Sequence, residues 1–183
     1  MQIKIPAFVK KGDTIGVPAP SFGCTIEPYI TRLESAVKKF NSKGLNVKLG
    51  DCVYKSDGIG ISSLPEACAE ELLSFYNDEN TSALISAGGG ELMCETISNI
   101  NFKKLQNSNP KWFMGYSDNT NFIFPLVTCT HIAAIYGHNF PGFGKIWEQS
   151  EKDNFSLLNG TKTKFNGYKK WQTEEDSNKY GDR

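Results

Sequence analysis

The chain is poor in the residues that would announce a metal site, a disulfide scaffold or a nucleic-acid surface. It has only two histidines, His131 and His138, and neither belongs to an HExxH pattern. A His-based metal centre therefore has little to be built from. The five cysteines, Cys24, Cys52, Cys68, Cys94 and Cys129, are odd in number and widely spaced, and no CxxC occurs. That argues against a disulfide framework or a zinc site, and buried reduced thiols are expected instead. Lys+Arg and Asp+Glu both number 20. With no basic surplus and no Lys/Arg-rich run, nucleic acid is not an expected partner. No apolar run approaches the roughly 18 residues of a membrane helix. The opening MQIKIPAFVKKGDTIG lacks the apolar core and small-residue cleavage site of a signal peptide. The expectation is a soluble, cytoplasmic protein with no metal, no cofactor and no membrane partner.

What is present suffices for one well-buried core, with 183 residues of which 39% are hydrophobic. Strand-like and helix-like segments alternate. The strand candidates are the start of DTIGVPAPS (13–21), LNVKLG (45–50), SALISA (82–87), KWFMGY (111–116) and IAAIYGHN (132–139). Between them, 25–44 carries Ile26, Ile30, Leu33, Val37 and Phe40 at helical spacing, with Gly44 as its stop. Helices are also expected over 65–78, where Pro65 suits a first helical position, over 91–100, and over 120–130 with a kink at Pro125. This order predicts an α/β fold: an open, largely parallel sheet with helices on both faces, flavodoxin-like or Rossmann-like. Ligands in such sheets sit at the carboxyl ends of the strands. Loops 18–24, 88–91, 115–119 and 137–144 all follow predicted strands.

From about Glu148 onward, charged and amide residues dominate, with one apolar patch at Phe155–Leu158. The expected division is an α/β domain over 1–150. Residues 151–183 would then be a linker and the start of a further domain.

The stretch FMGYSDNT (113–120) is the strongest chemical signal. In α/β hydrolases the nucleophilic serine sits on a strained turn between strand and helix, lifted toward a helix N-terminus. Gly115 supplies a small neighbour, Ser117 the hydroxyl, and the amide of Asp118 a donor to an oxyanion. The G-x-S-x-G pattern is incomplete, because Asn119 stands where its second glycine would be. Ser117, Asp118 and Asn119 are equally good N-cap residues, so a plain helix start is the competing reading.

In SAGGGE (86–91), three glycines after a buried strand let backbone amides approach an anion, or simply make a tight turn. Glu91, opening the next helix, is a candidate substrate contact. His138, just past a strand end, would be the nearest imidazole if its strand neighbours that of Ser117, but nothing in the sequence fixes that distance.

KKGDTIGVPAPS, ISAGGGELMCETI, KWFMGYSDNTNF and IYGHNFPGFG occur in order. Together they resemble the LD-carboxypeptidase family of serine peptidases, which includes the microcin C immunity peptidases, over residues 4 to 171. The resemblance implies a serine nucleophile at Ser117. It implies an oxyanion hole from the amide of Asp118 and a glycine of the Gly-rich loop, Gly89 or Gly90. It implies cleavage of an amide between an L- and a D-configured centre in a peptidoglycan tetrapeptide, or of a peptide–nucleotide amide in the immunity branch. It implies a metal-free Ser-Glu-His triad and a cytoplasmic homodimer. The family's Glu and His lie in a C-terminal domain, and no residue here matches either. The chain therefore reads as the nucleophile-bearing N-terminal half, inactive alone, with Phe140, Phe143 and Trp147 forming part of an exposed apolar patch. The alternatives are a non-catalytic binding module for peptidoglycan fragments or another small anionic ligand, and a class I amidotransferase-like domain. The serine at 117 and the distant cysteines speak against the last.

Overall fold

The computed structural model describes residues 2–169 and 173–176. Five short strands form one sheet: β1 (Thr14–Val17), β2 (Asn46–Leu49), β3 (Ala83–Ile85), β4 (Trp112–Gly115) and β5 (Ile135–Tyr136). All neighbours pair parallel, in the order β2-β1-β3-β4-β5. That is the flavodoxin-like order, whose direction of winding reverses between β1 and β3. The helices are α1 (Tyr29–Ser42), α2 (Pro65–Asn77), α3 (Met93–Ile97), α4 (Phe102–Leu105), α5 (Thr120–Thr130) and α6 (Gln149–Leu158).

Alternation along the strands divides the core in two. Ile15, Val17, Ala83, Ile85, Trp112 and Met114 face one layer, with Leu33, Ala36 and Phe40 of α1 and Leu158 of α6. Leu84 and Phe113 face the other, with Leu72 and Phe75 of α2 and Phe122 and Leu126 of α5. β3 and β4 are buried at every position, as strands covered on both faces must be. No helix among the described residues is long and apolar enough to cross a membrane.

Several expectations are corrected. α1 begins at Tyr29, after Pro28, so Ile26 lies outside it and is 54% exposed. The expected helix over 91–100 shrinks to Met93–Ile97. α5, by contrast, spans Thr120–Thr130 as expected, with Pro125 inside it. Three cysteines are buried, but Cys94 and Cys129 are exposed. The aromatic stretch 140–147 is not an exposed patch. Phe140 and Phe143 are fully buried, with ring centroids 4.9 and 5.3 Å from that of Phe40. Trp147 packs on Phe155, with centroids 5.2 Å apart, and only Ile146 in this stretch is strongly exposed. The cause is tertiary: α1 and α6 close over these rings, which local sequence does not reveal. The boundary expected at 150 falls within α6, whose Leu158 is buried in the core and accepts from the Val9 N–H at 3.0 Å. Of the expected tail, residues 170–172 and 177–183 lie outside the described residues.

Candidate active site

β4 delivers the chain to the carboxyl edge of the sheet, and the backbone then turns sharply. Tyr116 is still extended at φ −138°, while Ser117 has φ 62° and opens a 3-10 turn, Ser117–Asn119, that runs into α5. A residue with a β-carbon in this left-handed region costs about 1–2 kcal/mol. Surrounding contacts hold it there. The Ser117 N–H donates to Tyr136 Oη at 3.2 Å, and Thr120 Oγ1 donates to the Ser117 carbonyl at 2.7 Å. The Tyr116 N–H donates to Asn139 Oδ1 at 3.2 Å. Asn119 is fully buried beneath the turn, and its Nδ2 reaches Gly88 O at 2.8 Å and Asn139 Oδ1 at 3.1 Å. Gly115 makes room for it: a β-carbon there would stand 2.8 Å from Asn119 Cγ.

The carboxylate of Asp118 is a strut. Its Oδ2 accepts from the Met93 N–H at 2.9 Å and from Ser21 Oγ, and its Oδ1 accepts from Asn121 Nδ2 at 2.7 Å. One side chain thus ties the loop after β1, the start of α3 and the start of α5 to the turn. The Asp118 backbone N–H has no acceptor among the described residues.

The glycine loop after β3 lies against the serine. A carbon built on Gly89 would stand 3.2 Å from Ser117 Cβ and 3.5 Å from its Oγ. The loop's carbonyls are turned away and engaged. Gly88 O accepts from Ser86 Oγ and Asn119 Nδ2, both at 2.8 Å, and Gly89 O accepts from the Phe22 N–H at 2.6 Å. The N–H groups of Gly89 and Gly90 have no acceptor among the described residues. Gly90 has φ 140°, where only glycine sits without strain. Glu91 is exposed and precedes α3 rather than opening it, and its N–H donates to Gly60 O at 3.2 Å.

Neither histidine completes the site. His131 is the left-handed C-cap of α5, at φ 60°, and lies at the amino end of β5. His138 directs Nε2 to Ser150 Oγ at 3.1 Å and to Glu151 Oε1 at 3.3 Å, so its ring clamps α6. Burial lowers its pKa below the ordinary histidine value, against the opposing pull of Glu151. Among the described residues no group of three or more His, Cys, Asp or Glu could hold a metal ion.

Chemically, the arrangement presents one hydroxyl on a strained turn, flanked by backbone amides with no internal acceptor. It is suited to receive an oxygen that gains negative charge. Sequence reasoning brought Ser117, Asp118, Gly89 and Gly90 together. It missed Tyr136, Asn139 and the side chains of Ser21 and Asp118, although the loops carrying Ser21 and Asn139 follow strands and were marked for that reason.

A model described as the LD-carboxypeptidase N-terminal domain matches residues 15–137. A probable murein peptide carboxypeptidase of Bacillus subtilis (strain 168) is 32% identical over 115 residues, which is 63% of this chain and 34% of that protein. An MccF-like protein from Bacillus anthracis str. Ames superposes with a TM-score of 0.77 at 26% identity, covering 85% of this chain and 47% of that one. The microcin C7 self immunity protein MccF, solved with aspartyl sulfamoyl adenosine, gives a TM-score of 0.75 at 22% identity with the same coverage. This chain therefore spans about a third of the one relative's length and about half of each solved chain.

Proposed function

Because the chain belongs to the LD-carboxypeptidase family, we propose that it carries the nucleophile of a serine peptidase that cleaves an L,D-amide bond, releasing D-alanine from a peptidoglycan tetrapeptide. The observation that carries this reading is Ser117 at φ 62° beyond β4, with the glycine loop against its hydroxyl. In the reaction Ser117 Oγ attacks the carbonyl carbon of the L-residue. The amides of Asp118 and of Gly89 or Gly90 receive the oxygen as its charge develops. Glu91, exposed at the rim, is a substrate contact. The ligand bound in one MccF structure, aspartyl sulfamoyl adenosine, makes a peptide–nucleotide amide the second substrate to test.

An unassisted serine hydroxyl is a weak nucleophile. His131 lies at the amino end of β5 and the His138 ring is bound to Ser150 and Glu151 of α6, so the base is supplied by another domain. Residues 1–183 alone then hydrolyse at no useful rate. The complete enzyme works as a cytoplasmic homodimer.

The test is release of D-alanine from a muropeptide tetrapeptide, with an aminoacyl sulfamoyl adenosine assayed in parallel. The chain alone should be inert, and the chain joined to a C-terminal domain of the family should turn over. Ser117→Ala should then lower kcat by about 10⁶, as loss of a triad serine does. Turnover in the joined enzyme that survives Ser117→Ala would overturn the nucleophile. Turnover by the chain alone, lost in His138→Ala, would show that the base lies within these residues.

A further inference from the structure

We propose that the side-chain amide of Asn139 is a third donor to the substrate oxygen that becomes charged when Ser117 attacks. The proposal rests on Ser117 being the nucleophile. Asn139 lies between β5 and the 3-10 turn Phe140–Gly144 and is only 8% exposed. Its Oδ1 accepts from the Tyr116 N–H at 3.2 Å and from Asn119 Nδ2 at 3.1 Å. A backbone N–H can only donate, so the atom facing Tyr116 must be the oxygen, and the orientation of the amide is fixed.

The nitrogen is therefore the other end. Nδ2 has no acceptor among the described residues, and it stands 3.7 Å from a carbon built on Gly89. Ser117 Oγ lies 3.5 Å from that same point. A carbonyl group laid over Gly89 would come within reach of both the hydroxyl and the amide. The nitrogen is not sealed from solvent, so an arriving substrate oxygen can reach it. Bracing the turn uses only the oxygen and leaves the nitrogen without a role in it. The donor end is what only the amide provides.

An L-configured α-acylamino boronic acid tests this on the full 183-residue chain. Its boron accepts Ser117 Oγ, forming an O–B bond. The hydroxyl proton passes to solvent, and the tetrahedral boron carries the negative charge. Boron-11 NMR should show that adduct, and Ser117→Ala should lose it. The Asn139 side-chain NH2 signal in nitrogen-15 spectra, assigned by its absence in Asn139→Asp, should shift on adduct formation. Asn139→Ala should weaken binding about 10–100-fold, below the loss of rate seen when an oxyanion donor is removed.

Asn139→Asp keeps the acceptor for Tyr116 and Asn119 but sets a carboxylate against the charged boronate. It should bind more weakly than Asn139→Ala in mildly alkaline buffer. Relative to wild type at each pH, its deficit should shrink as the new carboxyl is protonated, a response that a purely structural role would not give. An Asn139→Asp chain that binds like wild type overturns the proposal, as does an NH2 signal unmoved by a Ser117 adduct. In both results the nucleophile stands. Absence of any Ser117-dependent adduct both in the chain alone and in the chain joined to a C-terminal domain of the family removes the nucleophile reading and this one with it.

Discussion

The two ends of the sheet are built from the same strands but differ in how their polar groups are spent. At the amino ends a cavity of about 770 Å³ opens, lined by residues including Phe8, Asp13, Tyr76, Ser82, Ser108 and Lys111. Its polar groups serve the backbone. Buried Lys111 donates Nζ to the carbonyls of Phe75, at 3.2 Å, and of Asp78, closing the C-terminus of α2. Burial lowers its pKa below the ordinary lysine value. The Asp78 carboxylate is held by Lys48 Nζ at 2.8 Å, which keeps its pKa below the usual carboxylate range. At the carboxyl ends the polar groups are spent differently. There the chain holds a serine at φ 62°, amides on Asp118, Gly89 and Gly90 without acceptors, and an asparagine donor aimed at the same spot. Space alone does not mark chemistry. Free donors beside a strained serine do, because folding has tolerated the strain of that turn.

The comparison can be pressed by substitution at each end. The largest effect on stability is expected for Gly115→Ala. Its new methyl would stand 2.8 Å from Asn119 Cγ in a fully buried site, and overpacking of this kind costs about 1–3 kcal/mol. Urea unfolding should show that loss, and the boronate should bind more weakly because Asn119 supports the turn.

Lys111→Met probes the other end. It removes the donor to two carbonyls at the close of α2, and unpaired buried acceptors cost about 1–3 kcal/mol, partly offset here by the apolar fit of Met. The urea midpoint should fall while boronate affinity stays at the wild-type value. A loss of affinity would break the separation of the two ends.

The smallest effect is expected at Ser117 itself. Ser117→Gly relieves the left-handed strain, whereas Ser117→Ala keeps it, so the glycine variant should be more stable than the alanine variant by about 1 kcal/mol. Equal unfolding midpoints would mean that the turn stores no strain.

Much of the fold was legible because strands covered on both faces must be apolar and helices must be periodic. ALI of β3 and WFMG of β4 stood out for the first reason, and α2 for the second. The edges were less legible. Ile26 reads as helix face until Pro28 delays α1, and β5 keeps only two paired residues of its apolar run. The site was half legible. Gly115, Ser117 and the glycine triplet are local signals, since a sharp strand-to-helix turn needs small residues in sequence. Tyr136 and Asn139 carry no such mark, because their contacts reach 19 and 23 residues back along the chain.

The sequence by itself determined the alternation of strands and helices, the loops at the carboxyl ends and the serine that follows β4, because periodicity and turn chemistry are local. Only the tertiary structure decided that Phe140 and Phe143 are core rather than surface and that His138 is spent on α6. It alone decided that the Asn139 amide comes to lie beside Gly89. Those outcomes depend on which strands become neighbours and which helices close over them, and that is settled by packing between segments far apart in the chain.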